Sequence, residues 1–353
     1  MSQSGQNTLT NSVRYEALTT EVTASELREY RNERSVRWVF VARIGSRIVL
    51  AFFAVAGIIA FIEGIISGDV TQAVVSMIVT ALGVCAWSGW LLMARQADTA
   101  AIKMSKFAVD NGWLYERGPV SVDHQGLIFQ QGHSRRAGNV IVSANGSLDG
   151  LLFEMGDYQY TTGSGKNRQV HYWTYCCVEL DRHVPHMVLD ATSNNVSFFG
   201  KNIMSNLPMT FRKDQQLSLE GDFNKYFTLY APRDYEQDAY YIFTPDLMAL
   251  LIDTSQGFDA EVIDNKIYFY SPRTGTQTPL SKPEPVRTLM NIIATVGASM
   301  YRRTDYYADD KIANRSVDVV ANGGRRLRHG VSWVLIFIVL LIAVVNIMIV
   351  ILG

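Results

Sequence analysis

Cysteine is scarce in this chain and charge is balanced, and both absences narrow what the protein can be. Cys85, Cys176 and Cys177 are the three cysteines, and no two of them have CxxC spacing. That leaves no zinc framework and suits a reducing compartment. Cys176 and Cys177 are neighbours in a stretch of strand propensity, so their side chains point to opposite faces and read as small core residues. The formal net charge is −1, and residues 95–330 hold 25 Lys+Arg against 26 Asp+Glu. A broad nucleic-acid-binding face needs a basic excess that this balance does not supply. No cofactor motif stands out. Gly163-Ser164-Gly165-Lys166 has Tyr160 and Asn167 at the positions where a phosphate loop needs Gly and Ser/Thr, so it reads as a hairpin turn.

What the chain has in quantity is apolar sequence, in three runs: 48–66, 71–93 and 331–352. Each is long enough to cross a hydrocarbon core of ~30 Å as a helix. The first is preceded by Arg28, Arg31, Arg34, Arg37, Arg43 and Arg47, the second is followed by Arg95, Lys103 and Lys106, and the third is preceded by Arg325, Arg326, Arg328 and His329. The loop between the first two carries only Asp69. Basic residues near membrane ends stay in the cytoplasm. The expected topology therefore has a cytoplasmic N-terminal segment (1–47), a membrane hairpin (48–94), a cytoplasmic domain (95–304), a linker (305–330) and a C-terminal membrane helix (331–352). Trp38, Trp87, Trp90 and Trp333 fall at the inner interface in this reading, where amphipathic rings settle.

Within the hairpin, Ala56, Ala60 and Gly64 recur at every fourth residue, as do Ala81, Cys85 and Gly89. Small residues at that spacing let helix backbones approach closely. The two triplets are expected to pack on each other, with homo-oligomerisation as the second use. Glu63 is the one ionisable residue in the runs and lies near an outer end. Asn346 is the one strongly polar side chain of the third run.

The polar middle reads α+β, mainly antiparallel sheet with a few helices. Thr23 and Glu26 have capping-box spacing ahead of a juxtamembrane helix. Residues 96–111 suit a helix stopped by Asn111-Gly112. Strands are expected at 151–161 and 169–180 around the glycine turn, and near 185–190, 215–220 and 225–231. Thr244, Pro245 and Asp246 announce a helix start. Residues 260–263 and 266–271 read as two strands joined by an Asp264-Asn265 turn, and Pro283 opens a helix to about Arg303.

His183 and His186 form His-Val-Pro-His beside Asp181 and Asp190. They are the best candidates for a metal or catalytic site. Val184-Pro185 favours an extended chain in which residues i and i+3 point apart, so the expectation is solvated loop histidines and no metal. His124, His133 and His171 are isolated in sequence. Arg325, Arg326 and Arg328 set topology and are also candidates for contact with anionic lipid head groups.

Leu217-Ser218-Leu219-Glu220-Gly221-Asp222-Phe223, Phe227-Thr228-Leu229-Tyr230, Tyr241-Ile242-Phe243-Thr244-Pro245-Asp246-Leu247-Met248 and Lys266-Ile267-Tyr268-Phe269-Tyr270 resemble a family of bacterial membrane-anchored proteins known as a domain of unknown function. Its members similarly place two membrane helices ahead of the soluble domain. The resemblance implies a bacterial plasma-membrane protein and carries no catalytic residues. The third apolar run departs from the two-helix layout. The functional expectation is a multi-pass plasma-membrane protein whose cytoplasmic domain binds or scaffolds a protein partner or lipid head groups. The alternative is a membrane-bound hydrolase or metalloenzyme using the His183/His186 region.

Overall fold

The computed structural model describes residues 12–33, 37–144, 148–198, 201–273, 280 and 282–330, with 340, 343 and 344. The third apolar run, Asn346 included, otherwise lies outside the described residues. The chain divides into two compact units, one of them Glu16–Lys106, the other formed by the described residues on either side of it.

The first unit is helical. Helix α1 (Ala24–Glu33) starts with the expected capping box: Thr23 N–H donates to Glu26 Oε2 at 2.9 Å and Glu26 N–H to Thr23 Oγ1 at 3.3 Å. Helix α2 (Arg37–Ser67) and helix α3 (Val70–Asp110) are joined by a tight turn through Gly68. The expected helices 71–93 and 96–111 are thus one helix of 41 residues. Nothing breaks the ladder between them, because Ala94–Ala101 holds four alanines with Arg95 and Gln96, and no Gly or Pro. It stops at Gly112, whose φ of +71° a residue without Cβ adopts at no cost.

The hairpin closes on a different seam from the expected one. A Cβ on Gly57 would fall 1.9 Å from Thr80 Oγ1, and one on Gly64 would fall 2.7 Å from the Ala73 backbone nitrogen. Gly64 is buried and Ala60 half-buried, whereas Ala56, Ala81 and Cys85 stand exposed and a Cβ on Gly89 would meet nothing within 4 Å. On α2 the close approach thus runs through Gly57 and Gly64, two turns apart on one face, so Gly64 and Ala60 keep their expected side while Gly57 takes the place of Ala56. Replacing Gly57 with Leu should destabilise the hairpin by ~1–3 kcal/mol or more through overpacking, while Ala56→Leu should have little effect. Thermal inactivation of the detergent-solubilised chain compares them, and equal losses would contradict this seam.

The second unit is built on one antiparallel sheet. Its strands are β1 (Leu114–Glu116), β2 (His133–Val142), β3 (Phe153–Thr162), β4 (Gln169–Ala191), β7 (Gln216–Leu217), β8 (Phe227–Tyr230) and β9 (Asp259–Arg273). A small ribbon of β5 (Val196–Phe198) and β6 (Lys201–Met204) stands apart from it. The order is β1-β2-β3-β4-β8-β7, with β9 also on β4. This arrangement works because β4 is 23 residues long: its first half pairs with β3, its end pairs with β8, and β9 runs along it from Tyr172↔Arg273 to Leu189↔Ala260. The glycine turn closes β3 on β4, with Gly163 and Gly165 at positive φ. Helices α4 (Glu236–Ile242), α5 (Pro245–Ser255), α6 (Pro283–Ile292) and α7 (Ala298–Thr304) complete the unit, a π turn joining the last two. A Cβ on Gly297 in that turn would fall 2.6 Å from Val178 of β4, so the missing side chain lets helix and sheet meet.

One face of the sheet carries an aromatic core of Phe129, Tyr158, Tyr160, Trp173, Tyr175, Tyr268 and Tyr270 with Cys177. Two expectations are corrected, and the helix start at Thr244-Pro245 is found where expected. The strands expected at 260–263 and 266–271 are one strand, β9, in which Asp264 at φ +54° faces Val184 across an irregularity in the ladder. Thr244 occupies the N-cap of α5 without making a side-chain cap bond. Residues 305–330 are no free linker: Tyr307, Asp309, Val320 and Leu327 are buried, and the segment is stitched to the sheet at several points. Gly324 C=O accepts from His186 N–H at 2.9 Å, and Arg328 exchanges backbone bonds with the Gln215 side chain at 2.8 Å each way.

Candidate functional site

His183 and His186 both lie in β4, so the expectation of loop histidines is replaced by a strand, and the two rings part company. His183 is half-buried, its Nδ1 2.8 Å from Asp318 Oδ2 while its backbone N–H donates to Asp318 Oδ1. His186 is buried. Leu327 N–H donates to its Nδ1 at 3.0 Å, so Nε2 carries the proton and donates to Glu261 Oε1 at 2.8 Å. Among the described residues no three His, Cys, Asp or Glu side chains converge as metal ligands.

Glu261 is the centre that the sequence did not announce. Val188 pairs with Glu261, and His186, two residues back along β4, shares that face. Besides His186, Glu261 accepts from Tyr270 O–H and Leu127 N–H through Oε2, each at 2.7 Å. Gly126 allows the close approach of that loop, because a Cβ there would fall 2.0 Å from Tyr270 Oη. Burial first, then the Glu261 charge, pushes the Tyr270 phenol well above its ordinary range. The network is buried and both carboxylate oxygens are engaged, so it fastens 120–130, β4, β9 and the 305–330 segment together.

A second histidine network opens on a groove of about 460 Å³ lined by Leu114, Ser121, His124 and Glu154. His124 Nε2 lies 2.9 Å from Glu154 Oε1, and Tyr175 O–H donates to the same oxygen. Burial raises the Glu154 carboxyl, but the hydrogen bonds from His124 and Tyr175 outweigh it and hold the group below its ordinary value. His124 Nδ1 lies 3.4 Å from Tyr268 Oη, and Phe129 packs against the ring at 4.7 Å between centroids. Both ring nitrogens are engaged, so His124 is not placed to take a proton from Ser121 as a nucleophile's base would. The groove offers shape and acidic charge for binding.

Of the three arginines expected at lipid head groups, all are exposed. Arg326 is committed to Asp264, its two Nη groups 2.9 and 3.1 Å from the carboxylate oxygens, and Arg325 Nε donates to Val320 C=O at 2.7 Å. Arg328 is held by its backbone. These contacts fix the 305–330 segment to the sheet unit.

No protein-family model matches the chain, and no curated protein does. Among solved structures, the crystal structure of the mycobacterial trehalose monomycolate transport factor A, TtfA, is similar over 55% of this chain and 94% of that one, at 11% sequence identity and a TM-score of 0.33. A likeness of that size carries no statement about activity.

Proposed function

We propose that this is a multi-pass protein of the bacterial plasma membrane whose α+β unit, tethered by the hairpin and by a C-terminal membrane helix at 331–352, is a cytoplasmic module that binds or scaffolds a protein partner. One observation carries the membrane part: in α2 and α3 only 6% of the apolar window is buried. A core helix of a soluble protein would hide that surface, whereas a hydrocarbon environment covers it without a protein partner. The arginine asymmetry supports the cytoplasmic assignment of the module. The binding reading is supported by an open groove in whose wall His124 and Glu154 are held by each other and by Tyr268. The alternative of a hydrolase or metalloenzyme built on His183 and His186 gains nothing from two rings held by different partners.

Ser164 lies exposed in the β3–β4 turn, which makes it a clean reporter of sidedness. In a Cys85→Ala background, Ser164→Cys should stay unlabelled by a membrane-impermeant maleimide in intact cells and be labelled after lysis. Labelling in intact cells would reverse the orientation.

A further inference from the structure

The helical unit holds a groove of about 420 Å³ that no expectation covered, lined by Arg31 of α1, Arg47 of α2, and Trp87, Trp90, Leu91 and Arg95 of α3. Its depth along the hairpin follows from the seam. Gly64 meets Ala73 and Gly57 meets Thr80, so the constant antiparallel register of the two helices places Trp90 level with Arg47. Arg47 and Trp90 are thus at one height. Twenty residues of helix separate that height from Ser67 at the turn, which at 1.5 Å per residue is ~30 Å, one hydrocarbon thickness. The groove therefore lies at the interface opposite the turn.

Its chemistry is uneven in sign. Three guanidinium groups line it and no carboxylate does. Arg31 is anchored by Nε to the buried Asp98 at 2.8 Å. Arg47 and Arg95 have no ion-pair partner among the described residues and are exposed. The Trp87 and Trp90 rings pack at 5.1 Å between centroids and give the floor an apolar, interfacial character. Cations that are unpaired at the protein surface, set above amphipathic rings at the edge of an apolar belt, match a phosphate attached to an acyl chain.

The geometry points to a binding site for the head group of an anionic phospholipid of the cytoplasmic leaflet, formed by Arg31, Arg47 and Arg95 over Trp87 and Trp90. This rests on the membrane reading above. It moves lipid recognition from the Arg325–Arg328 segment to the hairpin, where two of the three arginines are uncommitted.

The test uses the full chain in nanodiscs of phosphatidylcholine mixed with phosphatidylglycerol, released into native mass spectrometry to compare which lipid stays bound. The wild-type chain should retain phosphatidylglycerol over phosphatidylcholine. Arg47→Gln with Arg95→Gln should lose that preference by about fivefold per arginine, Arg47→Lys with Arg95→Lys should keep most of it, and Arg325→Gln with Arg328→Gln should leave it unchanged. Undiminished preference in the first double variant, or an equal loss in the last, overturns the site. Alkaline carbonate extraction separates this from failure of the membrane reading. A chain that resists extraction but shows no preference refutes the site alone, and a wild-type chain stripped from membranes refutes both.

Discussion

Replacing Glu261 with Ala should cost on the order of 4 kcal/mol or more of the stability of the sheet unit, a large share of the 5–15 kcal/mol that holds a typical domain together. The carboxylate satisfies His186 Nε2–H, Tyr270 O–H and Leu127 N–H in a site closed to water. Truncation leaves three buried donors without an acceptor, each costing ~1–3 kcal/mol, and adds a cavity. Glu261→Gln should fall between Ala and wild type. Its amide nitrogen would have to face either His186 or the Leu127 and Tyr270 pair, and the Leu327 N–H on Nδ1 keeps His186 from switching tautomer. Tyr270→Phe should lose only about 1–1.5 kcal/mol, because it removes a donor together with its need. Denaturant unfolding of the solubilised chain, followed by the near-ultraviolet aromatic signal, gives the order. An Ala variant within ~1 kcal/mol of wild type would show that this network does not hold the unit.

That network also shows where sequence reading ends. Apolar run length and arginine placement are local, so the two hairpin helices and the capping box at Thr23 were legible. The sheet's character was legible from strand propensity, but its extent was not. Pro185 looked like a breaker, yet it sits in β4 between Val184 and Met187, where the β9 register shifts, so its missing N–H removes no regular ladder bond. Asp264-Asn265 looked like a turn because a bulge and a turn both place a short polar residue at positive φ. Residues 305–330 looked like a linker because their buried anchors are few and lack any period. Glu261 was invisible for a different reason: two of its three partners, His186 and Leu127, lie 75 and 134 residues away in the sequence, brought together by a fold that no local pattern specifies. On α2 the expected Gly64 lies in the hairpin contact, but Gly57 rather than Ala56 makes the next one, because an every-fourth-residue spacing does not register a glycine seven residues away and only the fit against Thr80 reveals it.

The stability of the same unit should fall as pH rises from 5 to 8, and Asp259 should be the main cause. Asp259 is buried where β9 begins, its Oδ1 accepting from Ala191 N–H at 2.9 Å and its Oδ2 from Asn194 Nδ2 at 3.2 Å. Asp190 is buried beside it and accepts from Asn195 Nδ2 at 3.0 Å. Burial first, and then the Asp190 charge, pushes the Asp259 carboxyl up to about 7, and burial raises Asp190 as well. Between the ordinary carboxylate value of ~3.9 and about 7 the folded chain therefore binds a proton that the unfolded chain does not. A group of this kind stabilises the fold below the window, and the contribution drains away as pH climbs through it. From pH 5 to pH 8 the loss attributable to Asp259 is ~2–3 kcal/mol. Asp259→Asn should remove that slope, since the amide oxygen can still accept from Ala191 N–H and the unpartnered Asn194 Oδ1 can turn to accept from the new amide. The variant should be more stable than wild type at pH 8 and close to it at pH 5. Asp157, pushed up to about 6 by burial even though the nearby Arg273 charge pulls it down, is present in both chains and cancels in the comparison. Parallel stability curves for wild type and Asp259→Asn across pH 5–8, measured by denaturant unfolding, would remove Asp259 as the source of the pH dependence.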